Sequence, residues 1–353
     1  MTATEDALKE RIRRDGPISL EAYMSIVTEA YYARGDVFGR DGDFITAPEI
    51  SQTFGELIGL WCAVVWQNMG APASFRLVEC GPGRGTLMKD ILRAAARAPG
   101  FATAADIHLV ERSEALRAKQ RETLATYSVT WHDDIARVPA GPLILVANEF
   151  LDALPIRQFE MSASGWKERF VSLNEHGALM LQLHAGAPTS APAAQTGDLF
   201  ETSPSVTAFI ADLARRLAVT GGAALLIDYG YKATALGDTL QAVAKHKPCD
   251  IFDAPGEADL TAHVNFSAVA DTATAAGTRA FGPVEQGAWL NRLGIQARGL
   301  QLAKGKAADV AETVSAGIRR LTQPDAMGVL FKVMALAHPS LATPEGFQQD
   351  GAA

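Results

Sequence analysis

The stretch LVECGPGRGTLMKDILR places an acid and three alternately spaced glycines between an apolar run and a helical pattern. Gly81, Gly83 and Gly85 would let a ligand approach the backbone closely, or would supply positive φ angles. The turn is not a P-loop, because no Gly-Lys-Ser/Thr sequence closes it. It is not a dinucleotide turn either, because Thr86 occupies the position of the third glycine. Glu79 would repel a pyrophosphate and attract an ammonium group. The turn therefore predicts a ligand that carries a cation where a dinucleotide carries phosphate.

Acidic residues after the next two predicted strands extend this pattern. Glu111 ends the second strand, where a carboxylate can accept hydrogen bonds from ribose hydroxyls, and we include its neighbour Arg112 in the predicted site. Asp133 and Asp134 follow the third strand, within reach of an adenine amino group. This ordered set fits S-adenosylmethionine, which has an amino-acid end and a positively charged sulfonium. The alternative is that the glycines only form a turn and that Glu111 is a solvated strand end.

The elements that must position these residues are strands alternating with helices. The stretches FRLVEC, DIHLVE, VTWH, GPLILVANEF and GAALLIDYG are predicted strands, and amphipathic helical patterns lie between most of them. Such alternation predicts an α/β fold with a mostly parallel, doubly wound, Rossmann-like sheet. Ligands of such sheets bind beyond the carboxyl ends of the strands, where the glycine turn lies. The stretch MGVLFKVMAL is predicted to be a last strand.

The remaining segments give the predicted domain organisation. Residues 1–70 form a helical N-terminal region, and residues 71–155 and 201–340 form the Rossmann-like domain. Residues 156–200 interrupt it with a small antiparallel unit and a loop rich in proline, alanine and serine, which we predict to be a lid or a substrate-side surface. Residues 341–353 are predicted to be a flexible tail.

Composition limits the classes of function. The 353 residues are 48% hydrophobic and 20% charged, which suits a folded core. The net charge of −8 argues against a broad electrostatic contact with nucleic acid. The three cysteines form neither a zinc spacing nor a disulfide framework, so we predict no metal site. No apolar run approaches the roughly 20 residues of a membrane helix, and the N-terminus lacks a signal-peptide core, so we expect a cytoplasmic protein without stable membrane insertion.

Eight stretches together resemble the MidA-type methyltransferases, the family of the mitochondrial complex I assembly factor. They are GDFITAPEISQTFGELIGLW, ECGPGRGTLMKDILR, LVERSEALRAKQ, NEFLDALPIRQF, LLIDYGY, GDTLQAVAKHK, PGEADLTAHVNFS and MGVLFKVMAL, spread over about residues 15–336. The resemblance implies a class I methyltransferase fold, S-adenosylmethionine as methyl donor, and arginine in a protein substrate such as a respiratory complex I subunit. It implies the mitochondrial matrix for eukaryotic relatives. Asn265 departs from the family's HVDF pattern, and Ala47 stands where serine is common.

Methylation of an arginine requires carboxylates, because a guanidinium is protonated at neutral pH and must be held and deprotonated. Glu149 is the first candidate and Asp152 the second, both in the stretch NEFLDALP after the fourth strand of the alternation. Asn148 is predicted to lie beside the cofactor. The alternatives are that Asn148 shapes a turn and that Asp152 caps a helix.

Other polar residues are candidates on weaker grounds. The stretch TAPEISQTFGELIGLWCAVVWQNMG, residues 46–70, is predicted to be one helix that begins with a capping box of Thr46 and Glu49. Thr46 and Ser51, near its start, could line the cofactor site, and Phe44 could cover it; the alternative is a capped core helix. Asp228 ends a strand on the same edge of the sheet and could contact the substrate, or it could cap the next turn. His263 could move a proton or bind substrate, or it could be structural.

Three other functions remain open at this point. One is methylation of a small molecule or an RNA, although the acidic composition disfavours RNA. Another is an assembly chaperone that binds S-adenosylmethionine with little turnover. A nicotinamide-dependent oxidoreductase conflicts with the missing third glycine. The sequence does not determine the oligomeric state.

Overall fold

The structure is a computed structural model that describes residues 2–34 and 46–348. Its strands are β1 (Ile18–Ser19), β2 (Phe75–Cys80), β3 (Ala105–Val110), β4 (Val129–His132), β5 (Leu143–Asn148), β6 (Arg157–Ser162), β7 (Gly165–Leu173), β8 (Leu179–Ala185), β9 (Leu199–Thr202), β10 (Gly222–Tyr231), β11 (Gln241–Ala244), β12 (Lys247–Cys249), β13 (Asp259–Thr261), β14 (Val264–Asn265), β15 (Arg279–Glu285) and β16 (Phe331–Ala337).

Helices occupy most of the chain between these strands. They are α1 (Ala3–Asp15), α2 (Leu20–Ala33), α3 (Ala47–Ile50), α4 (Gln52–Asn68), α5 (Thr86–Ala95), α6 (Phe101–Ala104), α7 (Glu114–Thr123), α8 (Pro204–Thr220), α9 (Phe266–Ala275), α10 (Gln286–Arg292), α11 (Ile295–Ala303), α12 (Ala308–Thr322) and α13 (Met327–Leu330), with a 3₁₀ turn at Ile135–Arg137.

A central sheet has the strand order β15-β16-β10-β5-β2-β3-β4, and β14 pairs with the end of β10. The neighbours from β10 to β4 are parallel, whereas β16 is antiparallel to both β10 and β15. Strand β5 is buried on both faces: Ile144 and Val146 belong to one apolar cluster, and Leu145 and Ala147 to the other. Helices α4 and α5 cover the first face, and α8 and α9 the second. The predicted doubly wound α/β fold is confirmed.

The antiparallel insertion predicted between residues 156 and 185 is present as β6, β7 and β8, and β9 joins it. The N-terminal strand β1 also joins this sheet, with Ile18 opposite Val171. A third, three-stranded sheet has the order β12-β11-β13. Helix α2 packs on β13, and Tyr23 and Leu260 belong to the same apolar cluster. The N-terminal region is therefore connected to both smaller sheets.

The predicted helix over residues 46–70 is wrong in one respect, because it is two helices. Ser51 has extended backbone angles (φ −156°, ψ 125°) and ends α3. Its hydroxyl accepts a hydrogen bond from the N–H of Thr53 and so begins α4. The capping box predicted for Thr46 and Glu49 is also wrong. Thr46 makes no side-chain cap, and Glu49 accepts a hydrogen bond from the Thr86 hydroxyl at 2.5 Å.

The described part of the predicted flexible tail packs on the domain. Leu341 and Phe347 are buried, and the Phe347 ring centroid lies 6.3 Å from that of Trp289. Residues 349–353 lie outside the described residues. Over residues 2–34 and 46–348, no helix combines the length and the apolar character needed to cross a membrane.

Candidate functional site

The glycine turn after β2 has the backbone geometry that its sequence predicts. Gly81, Gly83 and Gly85 have φ angles of +66°, +50° and +81°, which side-chain-bearing residues rarely adopt. A Cβ on Gly81 would lie 3.0 Å from Cδ2 of Phe150. Gly85 is the N-cap of α5. The turn therefore brings the backbone into a cleft at the carboxyl edge of the sheet.

We call this space the first cleft; its volume is about 430 Å³, including the part that is open to solvent. Its lining comes from the α3 region, the end of β2, the glycine turn, the start of α5 and the end of β5. The lining residues are Thr46, Pro48, Glu49, Glu79, Gly81, Pro82, Gly83, Arg84, Thr86, Leu87, Asn148 and Glu149. Several predicted cofactor-binding residues thus share one cleft.

Glu79 has the environment that a cationic ligand group requires. The residue is 2% exposed, and burial raises the pKa of its carboxyl to about 8, although a hydrogen bond from the Met88 backbone opposes this. Its Oε2 atom has no hydrogen-bond partner among the described residues. A buried carboxylate oxygen without a partner costs free energy that an ammonium group would offset. The side chain therefore fits the amino group of an amino-acid ligand.

Glu111 is linked to the glycine turn through a buried glutamine. Its Oε1 accepts a hydrogen bond from the Ser113 N–H at 2.8 Å, and burial raises the pKa of its carboxyl. The Nε2 atom of Gln120 lies 3.2 Å from Glu111 Oε2 and 2.7 Å from the Gly83 carbonyl oxygen. Gln120 therefore holds the predicted ribose-binding acid and the turn in one hydrogen-bonded group.

The other residues predicted around the nucleoside lie on the exposed edge beside Glu111. Arg112 Nε donates to the Asp133 carbonyl oxygen at 3.1 Å, and Asp133 Oδ1 pairs with Arg117 Nη2 at 2.6 Å. Asp134 caps the 3₁₀ turn by accepting from the Ala136 N–H. None of these side chains lines the first cleft, and their cofactor contacts stay predictions.

Glu149, directly after β5, has a strained backbone and a perturbed carboxyl. Its φ of +51° is unusual for a residue with a side chain, and such strain is common at functional sites. Its Oε1 accepts from Asn148 Nδ2 at 3.0 Å and from the Ala47 N–H at 3.2 Å. Burial, and then the neighbouring Asp152 carboxylate, raise the pKa of Glu149 to about 7. It lines the first cleft and also a second one.

This second cleft has a volume of about 370 Å³, including the part that is open to solvent, and it adjoins the first at Thr46 and Glu149. Its lining residues are Tyr31, Tyr32, Thr46, Glu149, Asp152, Tyr229 and Asp259. Asp152 is 6% exposed, and its Oδ1 has no hydrogen-bond partner in the described part of the chain. Burial raises the pKa of Asp152 to about 6, against a hydrogen bond from Tyr229. Among the described residues, the lining is mainly acidic and phenolic and includes no lysine or arginine, which favours a cationic guest.

Asp228 supports the segment that carries the two candidate acids. Its Oδ2 accepts from the backbone N–H groups of Phe150, Leu151 and Asp152 at 3.2, 2.9 and 3.2 Å. Burial, and then the carboxylates of Asp152 and Glu149, raise the pKa of Asp228 well above its usual range. The residue lines neither cleft. Its geometry favours the structural alternative over the predicted substrate contact.

The remaining predicted residues have different positions relative to the clefts. His263 stacks edge-on against Tyr229, with ring centroids 5.4 Å apart, and lines neither cleft. Ser51 caps α4, whereas Thr46 lines both clefts. Phe44 lies outside the described residues. Asn265 caps α9 by accepting from the N–H of Ala268, a task that an aspartate at this position would also perform.

Sequence reasoning did not predict several residues of this region as part of the site, among them Tyr31, Tyr32, Arg84, Gln120 and Asp259. Tyr31 continues the buried face of α2, so a helical pattern alone assigns it to the core. Arg84 lies inside the glycine turn and lines the first cleft. Its position between Gly83 and Gly85 could have indicated a charged contact to the ligand from the sequence alone. Gln120 follows the buried Leu116 by one helical turn. Asp259 stands in a turn-rich stretch whose fold no local pattern indicates.

The strand order and the cleft beside the glycine turn define a class I S-adenosylmethionine-dependent methyltransferase. Residues 57–284 match the model of a family described as "Putative S-adenosyl-L-methionine-dependent methyltransferase", and the chain belongs to that family. Human protein arginine methyltransferase NDUFAF7, mitochondrial, is 36% identical over 93% of this chain and 82% of the human protein. The Drosophila melanogaster homolog is 34% identical over 93% of this chain and 83% of its own length.

A solved structure shares both the fold and the cofactor class. The crystal structure of a Burkholderia thailandensis protein bound to S-adenosyl-homocysteine is 28% identical to this chain, with a TM-score of 0.86. The alignment covers 99% of this chain and 95% of that one. S-adenosylmethionine is therefore the methyl donor of this enzyme, and the predicted family and cofactor are confirmed.

Proposed function

We propose that this enzyme methylates arginine in a protein substrate, with the donor in the first cleft and the guanidinium in the second. The observation that carries the proposal is the position of Glu149, which lines both clefts. A group at this junction contacts the donor side and the acceptor side together. The relatives named as protein arginine methyltransferases support the same substrate class.

Several residues of the first cleft suit the donor. When bound, S-adenosylmethionine supplies a methyl group activated by the sulfonium charge. Glu79 would hold the donor's amino group through its unpartnered Oε2, and Arg84, which lines the same cleft, suits its carboxylate. Asn148 also has a buried oxygen, Oδ1, without a partner among the described residues, and it faces the same cleft. Glu111 at the adjacent strand end suits the ribose hydroxyls.

The second cleft provides the groups that a guanidinium acceptor needs. Addition of a methyl group to a guanidinium nitrogen releases one N–H proton, and a carboxylate must receive it. The pKa of about 7 makes Glu149 a suitable acceptor at neutral pH. Asp152 would pair with a second edge of the guanidinium, since its Oδ1 has no partner in the described chain. Asp228 would act indirectly, because its three backbone hydrogen bonds hold the segment 150–152.

The identity of the client rests on the family resemblance alone. We propose that the client is a subunit of respiratory complex I or a similar assembly client. We also propose a cytoplasmic location in a bacterial cell, whereas the similar human protein is named mitochondrial. The lining of the second cleft comes from residues outside 156–200. If the insertion acts as a lid or a docking surface, the substrate must extend beyond the second cleft to contact it. A protein substrate is large enough to do so.

The test is methyl transfer from isotope-labelled S-adenosylmethionine into a fractionated lysate of source cells that lack the gene. We expect label in a protein band that mass spectrometry maps to an arginine, and no such label with Glu149→Gln. Label confined to RNA or small molecules would replace the proposed substrate class. Donor binding by calorimetry without transfer into any fraction would indicate a donor-binding chaperone.

A further inference from the structure

One side of the second cleft, formed by Asp259 and Tyr32, has no role in the proposed chemistry, and we call it the outer wall. Asp259, at the start of β13, is 6% exposed and lines the cleft. The Tyr32 hydroxyl donates to its Oδ1 at 3.2 Å, from a helix 227 residues earlier in the chain. Glu149 and Asp152 come from the segment after β5, so the cleft has carboxylates from two separate parts of the fold.

Hydrogen bonds from the N-terminal region to residues 251–257 support the outer wall. The Tyr23 hydroxyl donates to the Ile251 carbonyl oxygen at 2.5 Å, and Arg34 Nη1 donates to the Glu257 carbonyl oxygen at 3.2 Å. The hydroxyl of Thr2 donates to the Pro255 carbonyl oxygen at 2.8 Å. The first two bonds join α2 and the residue that ends it to the segment that leads into β13, and the third joins the start of α1 to the same segment. Tyr32 and Asp259 are thus presented to the cleft with little freedom, as selective binding requires.

The outer wall is also joined directly to the inner wall, which is the side of the cleft formed by Glu149 and Asp152. The N–H of Ala262, directly after β13, donates to the Asp152 carbonyl oxygen at 3.0 Å. Tyr229 hydrogen-bonds both Asp152 and Thr261. The carboxylates of Asp259 and Asp152 both raise the pKa of the Tyr32 hydroxyl, after the larger effect of burial, which places that hydroxyl in the field of both acids. The two walls therefore face one common space.

We infer that Asp259 and Tyr32 form a substrate-selecting site that distinguishes the guanidinium of arginine from the ammonium of lysine. This inference rests on the proposed function. A guanidinium is planar and presents donors on several edges, so it can pair with the inner acids and with Asp259 at once. Tyr31 and Tyr32, whose rings meet at 78°, supply aromatic surface for its faces. The compact ammonium of lysine can pair with the carboxylates of one wall, but it then lacks the interaction with the other wall.

The experiment uses the full-length protein saturated with S-adenosyl-homocysteine and two probes, Nα-acetyl-arginine methylamide and Nα-acetyl-lysine methylamide. Calorimetry measures the Kd of each probe for the wild type, Asp259→Asn and Tyr32→Phe. We expect the wild type to prefer the arginine probe. Asp259→Asn should weaken arginine binding about tenfold, the scale of a lost charged hydrogen bond, and lysine binding much less. Asp271→Asn, an exposed aspartate on α9, is the matched control.

Two further measurements separate selection from folding. The Kd of S-adenosyl-homocysteine should stay near the wild-type value in Tyr32→Phe, which keeps the ring and removes only the hydroxyl, and the Tm should fall by no more than the loss of one buried hydrogen bond. In turnover with an arginine peptide, both variants should raise KM with little change in kcat. Unchanged arginine affinity and unchanged selectivity in both variants would overturn this inference and leave the proposed function standing. A wild type that binds neither probe and methylates no arginine would overturn both.

Discussion

The carboxyl of Glu149 is subject to opposing influences that leave it half ionised near neutral pH. Burial and the adjacent Asp152 favour the protonated form, whereas hydrogen bonds from the Ala47 N–H and Asn148 favour the carboxylate. The balance raises its pKa to about 7. A guanidinium entering the second cleft would shift this balance toward the carboxylate. The residue can therefore hold the cation while ionised and accept its proton after transfer.

This balance predicts the pH dependence of the reaction. The base must be ionised in the free enzyme, so kcat/KM for an arginine peptide should rise with pH through about 7. Glu149→Gln should abolish this limb and lower kcat by about 10²-fold or more, the usual contribution of a general base. Steady-state kinetics from pH 5.5 to 9 provide the measurement. Glu122→Gln, an exposed glutamate on α7, should keep the wild-type profile, and a variant of Glu149 with the same limb would assign it to another group.

The buried carboxyl of Glu79 should have opposite effects on two properties: it lowers the stability of the donor-free protein at high pH and raises the affinity for the donor. Its folded pKa of about 8 lies above the unfolded value of about 4.3, so the folded state binds more protons between these values. Stability without donor therefore falls as pH rises through this window. Glu79→Gln lacks this loss, so its Tm should exceed that of the wild type at pH 8.5 and differ less at pH 5. Its affinity for S-adenosylmethionine should nevertheless fall roughly tenfold or more.

Thermal unfolding and calorimetry on the same preparations test both halves of this prediction. Glu345→Gln, on an exposed glutamate, is the control for the charge change. Equal donor affinity in Glu79→Gln would remove Glu79 from the cofactor site. A lower Tm at pH 8.5 would show that the carboxylate has a stabilising partner.

At the scale of elements, the sequence predicts what local patterns determine. The apolar runs of the parallel strands and the glycine turn are visible in the sequence, and with them the positions of Glu79 and Glu149. The break at Ser51 is less visible, because serine is tolerated within a helix and only its extended backbone and cap reveal the interruption. The Tyr32–Asp259 pair joins residues 227 positions apart, so no local pattern could indicate it.

The glycine turn allows a prediction with an internal control. Gly83 has a φ of +50° and lines the first cleft, so Gly83→Val should abolish donor binding through backbone strain and lost space. Gly70, after α4, has a φ of +85° and would meet no atom within 4 Å of an added Cβ. Gly70→Val should therefore lower the Tm and leave the donor Kd unchanged. Micromolar donor affinity retained by Gly83→Val in calorimetry would contradict the assigned role of the turn.

At the scale of the whole molecule, the N-terminal region contributes part of the lining of the second cleft, which is the proposed acceptor side. The carboxyl edge of the parallel sheet supplies the glycine turn and the segment that carries the inner acids. The first cleft also has lining from the α3 region. The outer wall comes from α2 and β13, which lie outside the central sheet. The predicted helical N-terminal region and Rossmann-like domain are therefore consecutive in sequence but do not form separate sites. The second cleft itself has lining from both parts.

The acidic second cleft and the net charge of −8 together predict electrostatic attraction of a cationic substrate. Attraction over distance acts on encounter and is screened by salt, with a Debye length of about 10 Å at 0.1 M. Raising NaCl from about 0.05 M to 0.3 M should lower kcat/KM for an arginine peptide severalfold, while kcat at saturating peptide changes little. A peptide with added flanking glutamates should start lower and respond less, because its own charge opposes the attraction. A kcat/KM independent of salt for both peptides would show that the acids act only after contact, as ligands of the bound guanidinium rather than as a field that gathers it.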